Sequence, residues 1–491
     1  MSPPSTREQA QPASAGSAGG LWAPQRRALT TGLVLTITFV ASEALAVVTI
    51  MPVVARELGG LRLYGWVFSA FMLGSVFGIV AAGRLADRRG PAIPYVGGLV
   101  LFGAGLAIAG LAPAMLILVI GRALQGIGAG AIPAVAYAAI GRTLPGRLRA
   151  RMMAVLSTAW VVPGVVGPAL SAAVASLAGW RWVFLGLLPL VAVTGSFAIP
   201  SLLRLGAPGP GPADGEGAAG QRPASGQPGG EHRLSDGIGA AAGAALVLAG
   251  LTEAGSSRNL LLGVPLLLAG GVLGWLVLRR LLPPGTFRLR RGLPAIVLSR
   301  GMLTFAFFGA DAYVPLTITT VRHHSTALAG AAVTGATLAW TAGSWVQARL
   351  NDKWPGRRLI RLGLVIILAG LAGMLLALRP GVPVAEAIAA WTAGGFGMGL
   401  GYSPITLLML REAPPGREGW ASASLNLCDV LGTALGVGIG GAAVAAGTAA
   451  GWPLSAGVSV AFAIAMAMAV LALIASVRLP AGLTVPERAV S

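Results

Sequence analysis

The chain has 491 residues, a mean hydropathy of +0.79, 55% hydrophobic residues and only 10% charged ones, against about 25% charged in a soluble domain. That content leaves no polar coat for a soluble globule of this length, and it excludes wholesale disorder, a collagen-like repeat and, with the single Cys428, a disulfide scaffold. The excess of 35 Lys+Arg over 16 Asp+Glu points either to nucleic acid or to the basic cytoplasmic loops of a membrane protein, and the positions of the arginines decide which.

A hydrocarbon core about 30 Å thick takes about 20 apolar residues per helix. Residues 1–28, rich in Ser, Ala, Pro, Gly and Gln, read as a disordered tail. Apolar segments follow at 29–50, 64–83, 93–112, 114–138, 152–177 and 182–203, making a first half over 29–204. The first segment is too long for a signal-peptide core and carries Glu43, so it reads as a retained span. Residues 205–236, with runs such as GAPGPGPADGEG, read as a flexible linker. Two shorter segments, 237–253 and 259–278, form a pair over 237–281, as two crossings or as a lateral or re-entrant hairpin. Six more, at 293–318, 327–347, 360–379, 384–409, 420–447 and 454–477, make a second half over 293–478, and 479–491 is a tail.

With the amino terminus inside and every segment crossing, 27 of the 35 basic residues fall on the inside. Six fall outside (Arg56, Arg62, Arg181, Arg258, Arg322 and Arg379), and Arg122 and Arg300 lie within spans. This bias supports fourteen spans with both termini cytoplasmic in a cell membrane, and it removes the case for nucleic acid. Arg supplies all but one of the basic residues and Ala and Gly abound, a composition of GC-rich bacterial genomes. The fold class expected is an all-α polytopic membrane protein of two six-helix halves related by an internal repeat, with two extra spans between them. The repeat shows in GRLADRRGPA at 83–92 against ARLNDKWPGR at 348–357, which sets Asp87 opposite Asp352. It shows again in Gly126, Gly128, Gly130 and Pro133 against Gly397, Gly399, Gly401 and Pro404, 271 residues later. Two such halves form a recurring transporter plan with the substrate site between them.

Four stretches together resemble the major facilitator superfamily, specifically its fourteen-span drug:proton antiporter branch, over about residues 29–478. Gly83, Asp87, Arg88 and Gly90 are similar to the family's loop between spans 2 and 3, and Arg122, Gln125 and Gly126 to its span 4 motif. Pro163, Gly164, Gly167 and Pro168, followed by Gly179-Trp-Arg-Trp182, resemble the span 5 motif associated with antiporters. Glu43, nine residues before Pro52, stands where the family places an acid in span 1, usually Asp. The chain departs from the pattern at Pro91-Ala92, where basic residues are usual, and at Asp429 near Asn426, where a basic or amide side chain is common.

Charges within spans are costly, and the deep ionisable residues are Glu43, Arg122, Arg300, Asp311 and Asp429. Glu43 and Arg122 reach similar depths, as a proton-coupling pair or as a fixed structural one. Phe307 and Phe308 share a helical face with Asp311, so a carboxylate beside aromatic rings offers a receptor for an organic cation or a second proton site. Arg300, about 16 Å from Asp311 along the helix, is expected to snorkel toward the inner surface. Asp429 is a further coupling candidate that Asn426 or backbone could equally satisfy, while Trp340, Trp345, Trp391 and Tyr402 line a cavity or simply pack. His323-His324 make a poor metal site, and no nucleophile–base motif or P-loop is present.

The expected protein is therefore no enzyme and needs no cofactor or metal. It is a monomeric proton-coupled exporter of amphiphilic, cationic small molecules working by alternating access, with Glu43, Asp311, Arg122 and Asp429 in coupling and Phe307, Phe308, Trp340 and Asn426 in the cavity. Its partners are the substrate, protons and the lipid bilayer. A dedicated metabolite, lipid or peptide transporter is the alternative, and a non-transporting scaffold or sensor is another.

Overall fold

The computed structural model describes residues 20–24, 26–144, 148, 151, 152, 155, 156, 158–204, 230–256, 259–351, 353–415 and 417–480. Of the expected tails 1–28 and 479–491, residues 1–19 and 481–491 lie outside the described residues, as do linker residues 205–229 and Asp352. Residues 20–24, expected as tail, form turns in which Leu21 is buried and its carbonyl accepts the Thr30 hydroxyl, and α1 begins at Arg27.

Every element among the described residues is helical. The long helices are α1 (Arg27–Leu58), α2 (Tyr64–Arg89), α3 (Ala92–Gly110), α4 (Met115–Thr143), α5 (Val161–Leu177), α6 (Arg181–Leu203), α7 (Gly230–Ser256) and α8 (Leu260–Leu281). After them come α9 (Leu293–Val321), α10 (Thr326–Leu350), α11 (Gly356–Ala377), α12 (Val384–Glu412), α13 (Glu418–Ala449) and α14 (Leu454–Ala475). Helix α9 is not continuous: a turn at Ala312–Tyr313 follows Asp311, and its last residues, Thr317–Val321, widen into a π-helix.

Among the described residues, twelve of these helices are long and apolar enough to cross a membrane. The chain is thus an all-helical, multi-pass membrane protein. The other two are α5, whose described part has 17 residues, and α10, where Thr334, Thr337, Thr341 and Ser344 dilute the apolar character of 25 residues. Helix α7 starts at Gly230, so residues 230–236, expected as linker, are helical; its apolar part, Ser235–Ser256, has 22 residues and exceeds the expected 237–253. At 27 and 22 residues, α7 and α8 are each as long as a membrane crossing requires.

Packing follows one pattern in both halves. Helix α4 lies against α2 and α3, as α12 lies against α10 and α11, and α1 packs on α5 and α6 as α9 packs on α13 and α14. The halves meet through α2 with α13 and α5 with α10. We call the end of the bundle at which α1 begins the near end and the opposite one the far end. Toward the far end, the halves approach backbone to backbone. A β-carbon on Gly65 would lie 2.9 Å from the Gly441 Cα, and one on Gly330 would lie 3.2 Å from the Pro168 carbonyl oxygen. The Tyr64 hydroxyl donates to the Ala312 carbonyl at 2.9 Å, and the Ser69 hydroxyl to the Ala434 carbonyl at 2.7 Å.

Helix α7 sits in the seam between α2 and α13. Its Ala240, Ala241, Ala244 and Leu248 share one buried cluster with Leu73 and Val76 of α2 and with Leu431 and Ala434 of α13. Toward the far end, Glu253 pairs with Arg62 at 2.5 Å, the Trp66 indole donates to Thr252 at 3.1 Å, and Gly255 faces Ala446. Helix α8 covers α7 from outside and is itself mostly exposed.

Small residues set the distances inside each half, as expected where helix association rests on packing rather than on a hydrophobic drive. A β-carbon on Gly126 would stand 2.1 Å from the Phe71 carbonyl oxygen, on Gly128 2.4 Å from that of Gly98, and on Gly130 2.1 Å from that of Ser75. In the second half the same contacts are made by Gly395 on Ala336 (2.1 Å), Gly397 on Gly363 (2.5 Å) and Gly399 on Trp340 (2.2 Å). The counterpart of Gly126 is therefore Gly395, two residues before the Gly397 that the sequence pattern selects. The string Gly395, Gly397, Gly399, Gly401 matches itself when shifted by two, and Pro404 draws the alignment to the wrong register. By contrast, a β-carbon on Gly97 of α3 meets nothing within 4 Å. Gly126→Ala is expected to lower the thermal unfolding midpoint in detergent, by an overpacking cost of about 1–3 kcal/mol. Gly97→Ala should leave the midpoint unchanged or raise it slightly, and equal midpoints for the two variants would contradict the close-packing reading.

Candidate functional site

Glu43 lies midway along α1 and Arg122 about two turns into α4, and the two helices meet there. The Arg122 Nη1 donates to Glu43 Oε1 in a direct ion pair and to Gln125 Oε1 at 2.7 Å. Arg122 Nε donates to the Val67 carbonyl at 3.2 Å, and the guanidinium lies 4.2 Å from the Phe71 ring centre. The cluster is sealed, with Glu43, Arg122 and Gln125 exposed by 0, 2 and 0%. Two polar atoms inside it, Glu43 Oε2 and Gln125 Nε2, have no hydrogen-bond partner. An unpartnered carboxylate oxygen at this depth is an acceptor in want of a proton or a donor.

The second acid, Asp311, stands at the break in α9 and is half-buried. Its Oδ1 accepts the Trp391 Nε1–H of α12 at 2.7 Å. Phe307 stacks on the Trp391 indole with ring centres 4.9 Å apart and planes 15° from parallel. Phe307 also meets Phe308 (5.3 Å) and Trp340 (5.7 Å) edge-on, and Trp340 touches Tyr402 (5.4 Å). Phe307 and Trp391 are buried, while Phe308, Trp340 and Tyr402 are half-buried, so the aromatic wall keeps an open side.

At the near end of that wall Arg300 and Asp429 form the third cluster. Arg300 Nε lies 3.0 Å from Asp429 Oδ1, an ion pair in which the N–H is not aligned on the oxygen. Its Nη1 donates to the Tyr402 carbonyl at 2.7 Å, its guanidinium sits 3.2 Å from the Tyr402 ring centre, and the Tyr402 hydroxyl donates to Asp429 Oδ2 at 3.0 Å. Arg300 therefore does not snorkel. Helices α9 and α13 touch through Gly301 and Gly432, which sets Asp429 beside the guanidinium, and a buried charge is best met by an opposite one within reach. Asn426, one turn from Asp429 toward the near end, is exposed.

Of the expected motif residues, Gly90 ends α2 with φ +83°, a conformation that favours glycine. Gly83 and Arg88 are free of close packing: Gly83 has open space where a β-carbon would sit, and Arg88 is exposed. The side chain of Asp87 and the whole of Asp352 lie outside the described residues. Pro163 and Gly164 are buried in α5, which passes Pro168 as one continuous helix, and Gly164 faces Thr337 of α10 across the joint between halves. Gly167 has only a distant neighbour in Leu45. Trp182 is exposed, whereas Trp180 is buried and its indole donates to Glu57 at 2.7 Å, beside Arg181. The structure thus unites Glu43, Arg122 and Gln125 in one cluster and Asp311, Phe307, Phe308 and Trp340 in a second, and it joins Asp429 to Arg300. Of the aromatics expected to line a cavity or to pack, Trp391 and Tyr402 join these clusters, whereas Trp345 is exposed.

Breaking a buried ion pair from one side costs about 3–5 kcal/mol, because it leaves a charge uncompensated. Arg122→Gln is therefore expected to lower the thermal midpoint more than the double variant Glu43→Gln/Arg122→Gln does. A double variant less stable than the single one would show that the pair is not the source of the loss.

Residues 31–437 match the family described as the Major Facilitator Superfamily. A protein named a probable multidrug-efflux transporter of Mycobacterium tuberculosis is 30% identical over 430 residues, 85% of this chain and 88% of that protein. A multidrug transporter protein of Bacillus subtilis is 37% identical over 160 residues, 33% of this chain and 30% of that one. Among solved structures, a POT family transporter in complex with 5-aminolevulinic acid superposes with a TM-score of 0.62 at 13% identity, covering 91% of this chain and 96% of its own. The xylose transporter XylE of E. coli gives 0.57 at 15% identity, over 91% and 96%. With a match over most of its length and a fold shared with solved transporters, the chain belongs to the Major Facilitator Superfamily and is a membrane transporter, not an enzyme.

Proposed function

We propose that this transporter exports amphiphilic, cationic small molecules in exchange for protons, as a fourteen-span antiporter with both termini in the cytoplasm of a bacterial cell. The observation that carries the reading is the pair of mid-membrane acids. Glu43 and Asp311 each sit on the first helix of a half, and each is gripped by the fourth helix of that half, through Arg122 and Trp391. Carboxylates at this depth are costly, and the one with an aromatic wall and an open side suits an organic cation. The relatives named for multidrug efflux support drugs as the cargo.

The count of arginines assigns the near end to the cytoplasm. The two halves, with their matching packing, form the internal repeat, and α7 with α8 are the two extra crossings. The backbone contacts of Gly65 with Gly441 and of Gly330 with Pro168 toward the far end fit a conformation closed to the outside. From it, alternating access proceeds by parting α2 from α13 and α5 from α10. Inward protons supply the drive, since each charge crossing 100 mV is worth about 2.3 kcal/mol. Arg122 holds Glu43 until a proton displaces it, and Asp311 takes either the cargo or a proton. Asp429, with Arg300 and Tyr402, closes the near end of the aromatic wall, with Asn426 at its mouth.

Liposomes enclosing a pH-sensitive dye under an imposed proton gradient test this. Lipophilic cations should elicit proton flux in the parent protein, neutral drugs less, and Glu43→Gln and Asp311→Asn should each lower the flux at least about tenfold, the loss of a general proton-transfer group. Undiminished flux in both variants would remove these acids from the coupling. The absence of flux with every compound would favour a dedicated metabolite, lipid or peptide as cargo.

A further inference from the structure

The close contacts of α4 and α12 fix which residues of the two halves correspond. The interval that carries Gly126 to Gly395, Gly128 to Gly397 and Gly130 to Gly399, each against the matching carbonyl, carries Arg122 to Trp391. Both are the eighth residue of their helix, counted from Met115 and from Val384. Both reach the acid on the first helix of their half, Arg122 to Glu43 and Trp391 to Asp311. The molecule thus holds the same device twice, with one difference: a guanidinium grips the first acid and an indole N–H grips the second.

That difference has an electrostatic consequence. An arginine both orients and neutralises a carboxylate, whereas an indole is a neutral donor that orients it and leaves the charge. Glu43 is accordingly part of a neutral, sealed pair. Asp311 has no cation within ion-pair distance among the described residues, and it is half-buried. Arg300, on the same helix, is engaged by Asp429 and the Tyr402 carbonyl. Trp391 also adds its own ring to the aromatic wall. It stacks on Phe307, which in turn meets Phe308 and Trp340.

We propose that Trp391 is the residue that sets the charge preference of the transporter: by standing where the first half has Arg122, it leaves Asp311 as a single uncompensated negative charge beside an aromatic wall, a site for one monovalent, planar, lipophilic cation. This rests on the export of cations proposed above and names the residue that selects them. Trp391 is a positioning residue. It holds Asp311 Oδ1 and presents the remaining face of the carboxylate to the cargo.

The test uses two probes with the same ring system, permanently charged N-methylacridinium and neutral acridine, with binding to the purified full chain read by fluorescence. The parent should prefer the cation. Trp391→Arg should lower cation affinity at least about tenfold, the scale of a lost charge partner, with acridine affinity kept within about twofold. Trp391→Phe, which keeps the ring and drops the donor, should weaken cation binding less and retain the preference. Asp311→Asn should abolish the preference with Trp391 in place, and it decides the matter if Trp391→Arg does not fold. An undiminished preference in Trp391→Arg or in Asp311→Asn overturns the proposal. So does an equal loss for both probes in Trp391→Arg and Trp391→Phe, the mark of a merely structural tryptophan. Proton flux measured on the same proteins separates the two readings. Flux in the parent with an unchanged preference in Trp391→Arg overturns this inference alone. The expected binding pattern without any flux upholds it and overturns proton coupling.

Discussion

Hydrogen is all that fits between α4 and the carbonyl of Phe71, or between α12 and that of Ala336, because a β-carbon at Gly126 or Gly395 would lie 2.1 Å from the oxygen. Helices this close act as one body, and their side chains project from a common, rigid base. Arg122 stands one turn from Gly126, and Trp391 one turn from Gly395. The depth and direction of the two residues that reach for the mid-membrane acids are thereby set by backbone contact. Dispersion between packed surfaces does here what hydrophobic burial does in water, since lipid offers apolar side chains no worse a home than protein.

Upon that frame the molecule distributes three acids and two arginines. Glu43 takes one arginine and is sealed; Asp429 takes the other, under the ring of Tyr402; Asp311 takes neither. A charge without a counter-charge in a membrane interior is tolerated where a cavity or a ligand meets it. Of the three acids, Asp311 is the one that stands half-buried beside the aromatic wall with no arginine paired to it among the described residues.

The helices were legible from the sequence because a bilayer imposes a length, and runs such as 93–112 and 360–379 match α3 and α11 closely. Among the described residues twelve helices satisfy length and apolarity, and α10 misses for a readable reason, its threonines. The matched depths of Glu43 and Arg122 allowed an ion pair but left open whether α1 and α4 adjoin. The Arg300–Asp429 pair was not legible, because which faces of α9 and α13 touch depends on the positions of Gly301 and Gly432, and glycines at helical spacing are too common to single those out. Trp391 was named as lining a cavity or packing, but its correspondence to Arg122 was hidden by a degeneracy: with the alternating glycines read two residues late, Arg122 falls on Ala393. Registering the repeat on the one interval that also keeps Arg122 and Trp391 opposite acids would have found it.

Helix α7 touches both halves at once, through Arg62 and Trp66 on one side and Gly438 and Ala446 on the other. A strut glued to both leaves of a hinge cannot follow both when they open. If α2 and α13 separate toward the far end, α7 must let go of one of them. Its grip on α2 and the turn before it includes an ion pair and an indole hydrogen bond, whereas the described contacts with α13 that stand out are apolar, Leu248 against Gly438, Leu431 and Ala434 and Gly255 against Ala446. The parting line of the molecule would then run not between α2 and α13 alone but along the apolar flank of α7, and the inserted pair would travel with the first half.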